Sequence, residues 1–141
     1  MAYEMLPYLM TRVTARTNQL WVRQLRDHGL TIGRWQVLNV LSAYDGSRIG
    51  TIADLSGGEQ AAVSRVIDQM ERDELVKRRP SLNDSRAVEV WITQLGRETY
   101  AELMPEAKAF VKRMVRTLSE PEIKLLTNLL ERLFSDLQEE S

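Results

Sequence analysis

The segment VKRRPSLNDSRAVEVWIT, Val76 to Thr93, constrains the fold more than any other part of the chain. Val88, Val90 and Ile92 alternate with Ala87, Glu89 and Trp91, the two-residue period of a strand with one face buried. Leu75 to Arg79 offers a partner strand. Pro80 ends it, because proline has no N–H to give to a ladder. Asn83, Asp84 and Ser85 supply turn chemistry between the two. The result is a hairpin whose loop and first strand carry Lys77, Arg78, Arg79 and Arg86 against one acid, Asp84.

Helical periodicity occupies most of the remaining chain. Leu6, Leu9, Met10, Val13, Leu20 and Trp21 predict a long first helix over residues 4–28, with Arg12, Arg16 and Arg23 as an adjacent polar stripe. Gly29 stops it. Thr31 reads as the N-cap of a second helix, with Leu30 and Trp35 placed as a hydrophobic staple. That helix carries Trp35, Leu38, Leu41 and Tyr44 and ends at Asp45-Gly46. A short third helix fits Ile49 to Leu55, with Ile52 and Leu55 turned inward, and Ser56-Gly57-Gly58 makes a tight turn. The fourth helix, Gln60 to about Glu74, has Val63, Val66, Ile67 and Met70 on its buried face. Gln60, Ala61, Ser64, Arg65 and Asp68 share the other. Thr93 caps a fifth helix over 94–117, in which Pro105 predicts a kink or break. Ser119 and Glu122 form a capping box for the last helix, with Leu118 and Ile123 as its staple. That helix carries Ile123, Leu126, Leu130, Leu133, Phe134 and Leu137 on one side.

Two helices joined by a short glycine-containing turn and followed by a basic hairpin have the layout of a winged helix-turn-helix. The expected fold is mainly α with a small β-hairpin wing, flanked by long N- and C-terminal helices. Residues 1–30 form the first dimerisation helix, 31–93 the winged unit, and 94–141 the C-terminal dimerisation helices. The flanking helices carry more apolar surface than one small domain covers, which predicts a homodimer in place of a self-contained bundle.

Composition narrows the function classes. The chain has no Cys and a single His, so disulfides, thiolate metal sites and a Ser-His-Asp triad drop out. No metal or other cofactor is expected. Nucleophile elbow, phosphate-binding glycine loop and dinucleotide fingerprint are all missing, so no enzyme is expected. With no apolar run of membrane length and no signal-peptide pattern, the expected location is cytoplasmic, away from membranes. The net charge of −1 and pI near 5.9 run against the basic balance usual in small DNA-binding domains. Phosphate contacts come from local patches, however, and screening limits the reach of distant acids. Acids cluster at Asp68 to Glu74 and in the C-terminal tail.

Across essentially its whole length the chain resembles the MarR family of bacterial winged-helix transcriptional regulators. The resemblance is carried by AAVSRVIDQMERDELVKRRPSLNDSRAVEVWITQLG and by the upstream TIADLSG. The family's recognition helix ends in a leucine-glutamate-lysine-x-glycine-leucine-valine type turn, matched by Met70 through Val76. Its wing has an arginine and then Asp-x-Arg, matched by Arg78 and by Asp84-Ser85-Arg86. A strand closed by Leu-Thr-x-x-Gly is matched by Ile92 to Gly96. Three positions depart from the pattern. Glu74 stands where glycine is usual, Gly58 where an aliphatic residue is usual, and Glu59 where a small polar cap is common.

The resemblance implies a double-stranded DNA operator, bound by the homodimer and usually repressed. Gln60, Ala61, Ser64 and Arg65 are the candidate major-groove residues, since an α-helix there meets distinguishable base edges. Arg86 is the candidate minor-groove arginine, attracted by the concentrated negative potential of a narrow groove. Lys77, Arg78 and Arg79 are candidates for phosphate contact, with Ser47 and Arg48 behind them. Asp84 would be repelled by phosphate and is expected to brace the wing by pairing with Arg65 or Arg78. Acids such as Glu71 and Glu74 are read as solubilising an exposed helix.

Family members often bind small aromatic or phenolic acids between the dimerisation helices and the DNA head. Tyr8, Arg12, Arg16 and Trp35, with Trp21, Met10 and His28 nearby, offer an aromatic wall and a cation for such an effector. Each has a plainer reading too. Trp35 sits at a core position, Arg12 and Arg16 on a solvent-facing stripe, and His28 at a helix end. The competing functional reading is a winged-helix module that binds protein without specific DNA binding. The acidic pI favours it; Arg65, Arg86 and the basic wing oppose it.

Overall fold

The computed structural model describes residues 2–140. A short 3₁₀ turn, Tyr3–Met5, leads into α1 (Leu6–Arg26), followed by α2 (Ile32–Ala43), β1 (Ser47–Arg48), α3 (Ile49–Ser56) and α4 (Gln60–Arg72). The strands β2 (Val76–Pro80) and β3 (Val88–Ile92) come next, then α5 (Gln94–Met114) and α6 (Glu120–Gln138). The architecture is mainly α with a small antiparallel sheet, as expected. The chain divides into two compact units, residues 1–105 and 106–141.

In the first unit α2 is the central element, burying Trp35, Val37, Leu38, Val40 and Leu41. Around it the core takes Trp21 and Leu25 from α1, Ile52 and Ala53 from α3, and Val63, Ile67 and Met70 from α4. Leu75, Val76, Val90 and Ile92 close it from the sheet, and Leu103 from α5. Local capping chemistry sets several boundaries. Gly29 takes φ +67 beyond α1, and the Leu30 N–H returns to the Leu25 carbonyl at 3.0 Å. The Thr31 side chain accepts from the Arg34 N–H, capping α2.

The sheet has a third strand that the sequence reading lacks. Ser47–Arg48 pairs antiparallel with β3, so the order is β1-β3-β2 and β3 is central. Two residues carry no alternation pattern, so only the pairing itself reveals them. Two side chains expected to face inward lie outside. Leu55 is 52% exposed, its place in the core taken by Ala53, and Val88 is 43% exposed because the buried run begins at Val90. Tyr44 caps the C-terminus of α2 and is also exposed.

The structure runs α5 through Pro105 without a break in the helix, so of the expected kink or break the break does not occur. Proline there removes one N–H and leaves the carbonyl four residues back, at Ala101, without its partner. Ala101 is exposed, so water can satisfy that carbonyl. In the second unit the predicted capping box of α6 is present. The Ser119 side chain accepts from the Glu122 N–H, and the Glu122 carboxylate accepts from the Ser119 N–H at 2.8 Å. That N–H bond, and then the Ser119 hydroxyl, hold the Glu122 carboxyl below its ordinary value. Leu125, Leu126, Leu129, Leu130, Leu133, Phe134 and Leu137 of α6 are all exposed.

Candidate nucleic-acid interface

The fourth helix is amphipathic because its apolar residues recur every three or four positions. Val63, Ile67 and Met70 turn inward, which carries Gln60, Ala61 and Arg65 to the solvent side, with Ser64 half-buried at the margin. Glu59 is the N-cap but makes no side-chain cap bond. At the other end Glu74 takes φ +64, the left-handed conformation that glycine adopts without cost. The Leu75 N–H then bonds back to the Met70 carbonyl at 2.9 Å, turning the chain from α4 into β2.

Arg78 ties this helix to the wing. From β2 its guanidinium reaches Asp68 at 2.6 Å and Glu71 at 3.2 Å, and its backbone N–H donates to the other Glu71 oxygen at 2.9 Å. That backbone bond is the main cause holding the Glu71 carboxyl below its ordinary value; partial burial opposes it, and the guanidinium adds to it. For Arg78, burial works against the charged form, but the bonds to Asp68 and Glu71 outweigh it and raise the pKa. Two expectations are corrected. Arg78 is occupied by acids of α4 and does not pair with Asp84. Glu71, read as a solubilising acid, is half of an anchor.

The wing loop is held by its own hydrogen bonds. The Ser81 N–H donates to the Ala87 carbonyl at 3.0 Å, and Asn83 N–H to the buried Ser81 hydroxyl. Asp84 accepts from the Arg86 N–H at 3.0 Å, and its second oxygen faces Arg48 at 3.8 Å. Asp84 therefore does brace the wing turn, with Arg48 of β1 as its charged neighbour in place of Arg65 or Arg78. The missed strand explains why, since it delivers Arg48 to the base of the wing. Lys77 and Arg79 are exposed on β2, and the Arg79 guanidinium lies 5.8 Å from the centre of the Trp91 ring. Arg86 is exposed.

A cleft of about 590 Å³ separates the wing from the helices. Its walls include Gln60 at the start of α4, Arg48 and Asp54 beside α3, and Asp84, Arg86 and Val88 of the wing. The structure thus brings Gln60 and Arg86, from the two halves of the expected site, to one opening.

Asp45 braces the same region from behind. It accepts from the Ile92 N–H at 2.8 Å and the Gly46 N–H at 3.1 Å, while its other oxygen meets Arg97 at 2.7 Å. Read from sequence as a helix end, it joins α2, β3 and α5. Thr93 makes a comparable join: its hydroxyl donates to the Glu74 carbonyl at 2.6 Å and accepts from the Gly96 N–H at 3.0 Å.

The candidate effector residues lie in different surroundings. Trp35 is 9% exposed, edge-on to Trp21 at 5.5 Å and stacked on Tyr100 at 5.2 Å. Tyr8, Arg12 and Arg16 are exposed on α1, where Arg16 donates to Gln19. Met10 lines a shallow groove of about 360 Å³ with Thr11, Thr14 and Ala15. His28 is exposed beyond the end of α1. No helix among the described residues is long and apolar enough to cross a membrane.

Comparison with known proteins agrees with this geometry. The sequence model of the MarR family matches residues 30–88, which span α2 to the first residue of β3. A MarR family transcriptional regulator from Silicibacter pomeroyi is 30% identical, with a TM-score of 0.84 over 96% of this chain and 95% of that one. The HTH-type transcriptional repressor IacR of Pseudomonas putida is 28% identical over 93% of this chain and 78% of its own length. A MarR variant from E. coli, crystallised with operator DNA, shares the fold at 20% identity, with a TM-score of 0.77 over 92% and 95% of the two chains. The chain belongs to the MarR family of DNA-binding transcriptional regulators, and it is not an enzyme.

Proposed function

We propose that this regulator acts in the cytoplasm as a homodimeric repressor of a pseudo-palindromic operator, with α4 in the major groove and the wing in the neighbouring minor groove. The observation that carries this reading is the cleft shared by Gln60 and Arg86. One helix face and one wing arginine open on the same side of the first unit, as an element in each of two adjacent grooves requires. Gln60, Ala61, Ser64 and Arg65 meet base edges or phosphates, and Arg86 enters the minor groove. Lys77 and Arg79 take phosphates. Arg78 and Asp84 act indirectly, by holding the wing against α4 and shaping its turn.

The dimer rests on exposed apolar surface. Tyr3, Leu6, Tyr8 and Val13 are 94%, 47%, 64% and 59% exposed near the N-terminus, and the α6 leucines lie bare. Burying such stripes against a second copy removes apolar area from water at about 25 cal/mol per Å². A small aromatic carboxylate releases the DNA by binding near α1 and α2, where Tyr8, Arg12, Arg16 and Trp35 lie. Tryptophan fluorescence follows that step, since Trp21 and Trp35 are in ring contact. Titration with salicylate and hydroxycinnamates tests it, and an unchanged signal across the panel counts against it.

Footprinting on the DNA upstream of the protein's own gene tests the main claim. The expected pattern is two protected half-sites whose centres lie about one helical turn apart, or a multiple of it. A monomer in sedimentation equilibrium, or no protection above that of scrambled DNA, overturns the reading.

A further inference from the structure

The cleft between wing and helices holds a charged pair that the groove contacts do not use. Arg48 is the last residue of β1, and pairing with β3 sets its backbone opposite Glu89. Its side chain is 54% exposed and stands 3.8 Å from Asp84, itself 46% exposed. That separation is too long for a hydrogen bond, and half-exposed pairs of this kind contribute little. Arg48 is thus held near the cleft but weakly engaged.

An α-helix in one groove and a wing in the next lie on either side of a single sugar–phosphate backbone. Gln60 of α4 and Arg86 of the wing both line the cleft, so a backbone lying between the two grooves passes along it. The opening of about 590 Å³ has room for a phosphodiester and its sugars. Val88, 43% exposed on the wing wall, offers an apolar contact for a deoxyribose. Arg48 and Arg86 are balanced by Asp54 and Asp84, so the cleft is near neutral while empty of DNA.

Resting on the function proposed above, we infer that this cleft holds the DNA backbone between the two grooves, and that Arg48 binds a phosphate there by exchanging Asp84 for it. Asp84 neutralises Arg48 in the free protein and so lowers its attraction for any polyanion. A phosphate seated in the cleft is a stronger acceptor than a carboxylate at 3.8 Å, and it displaces that carboxylate. Arg48 belongs to the backbone-positioning contacts, which set affinity and register without reading bases.

The test uses the full-length protein, a duplex it enriches from a random pool, and a scrambled duplex. Arg48→Gln should weaken both by about tenfold and flatten the salt dependence by about one phosphate's worth, a slope change near 0.9. Asp84→Asn keeps an acceptor for the Arg86 N–H and removes the charge, so it should tighten both duplexes. Asn at 84 also removes the direct repulsion between Asp84 and phosphate, so in the double variant the gain should shrink without vanishing, and a gain of undiminished size contradicts the exchange. Replacing the phosphate between the grooves by a neutral methylphosphonate should weaken the wild type and leave Arg48→Gln unaffected. If Arg86→Ala loses binding while Arg48→Gln stays within about twofold with the same salt slope, the inference falls and the function proposed above stands. If the wild type binds neither duplex, both fall.

Discussion

Arg78 and Glu71 join the wing to the fourth helix through both main chain and side chain. The Arg78 N–H donates to one Glu71 oxygen at 2.9 Å and its guanidinium to the other at 3.2 Å. The pairing fixes the angle at which β2 leaves α4, and with it the position of Arg86 relative to the helix face. Glu71→Gln should cost no more than about 1 kcal/mol near neutral pH, since the pair is only half-buried. Folding lowers the Glu71 pKa, so its carboxylate stabilises the fold fully above the ordinary value of 4.5. That stabilisation is lost as pH falls through the lower folded value. Urea midpoints of wild type and variant should therefore differ at pH 7 and converge in acid; a gap independent of pH contradicts the assignment.

Gly96 lies against the main chain where α5 begins. A Cβ there would stand 2.3 Å from the Leu75 carbonyl oxygen and 2.7 Å from Ile92. Backbone cannot yield as a side-chain tip can. Gly96→Ala should destabilise by about 3 kcal/mol, the upper end for overpacking. Thermal unfolding would show it as a large drop in Tm, and a Tm unchanged from wild type would remove Gly96 from the joint.

Glu74 presents the opposite case. Its left-handed backbone costs a non-glycine residue roughly 1–2 kcal/mol. Glycine relieves that strain but loses about 0.5–1 kcal/mol in chain entropy. Relief wins, so Glu74→Gly should stabilise by about 0.5–1 kcal/mol, read as a higher urea midpoint at unchanged slope. A lower midpoint would mean that the glutamate side chain stabilises the turn by more than the strain costs.

Asp45 closes two backbone donors and one guanidinium. Asp45→Ala leaves the part-buried Ile92 N–H without its acceptor, at a cost of about 1–3 kcal/mol. Hydrogen exchange should locate the loss at Ile92 and along β3. Protection unchanged there would assign the stability to the Ala change elsewhere.

How far the fold can be read from sequence depends on the range of the interaction. Thr31, Gly29 and the Ser119–Glu122 box act within one turn of chain, so their residue types announce them. The alternation of Val90 and Ile92 likewise marks β3. Arg48 and Asp45 show no such signal, because their roles depend on β3 arriving from far along the chain. Leu55 and Val88 mislead for the same reason: each continues an apolar period past the point where the core ends. Arg78 was recognisable as basic, but its acids sit across a turn, and only the register of β2 against α4 reveals them. Within the candidate site, residue chemistry marks α4 and the wing, whereas the division between exposed and internally engaged arginines is set by tertiary contacts that residue type does not announce.

On the function proposed above, the exposed face of α4 and Arg86 together recognise a DNA site. Fluorescence anisotropy on the protein's own upstream DNA, against a scrambled duplex at fixed salt, tests it most directly. The wild type should prefer the upstream DNA by about three orders of magnitude or more. Arg86→Ala should weaken that binding by about 1–3 kcal/mol with the oligomeric state unchanged. Equal affinity for both duplexes, with Arg86→Ala indistinguishable from wild type, would rule out DNA recognition by this face.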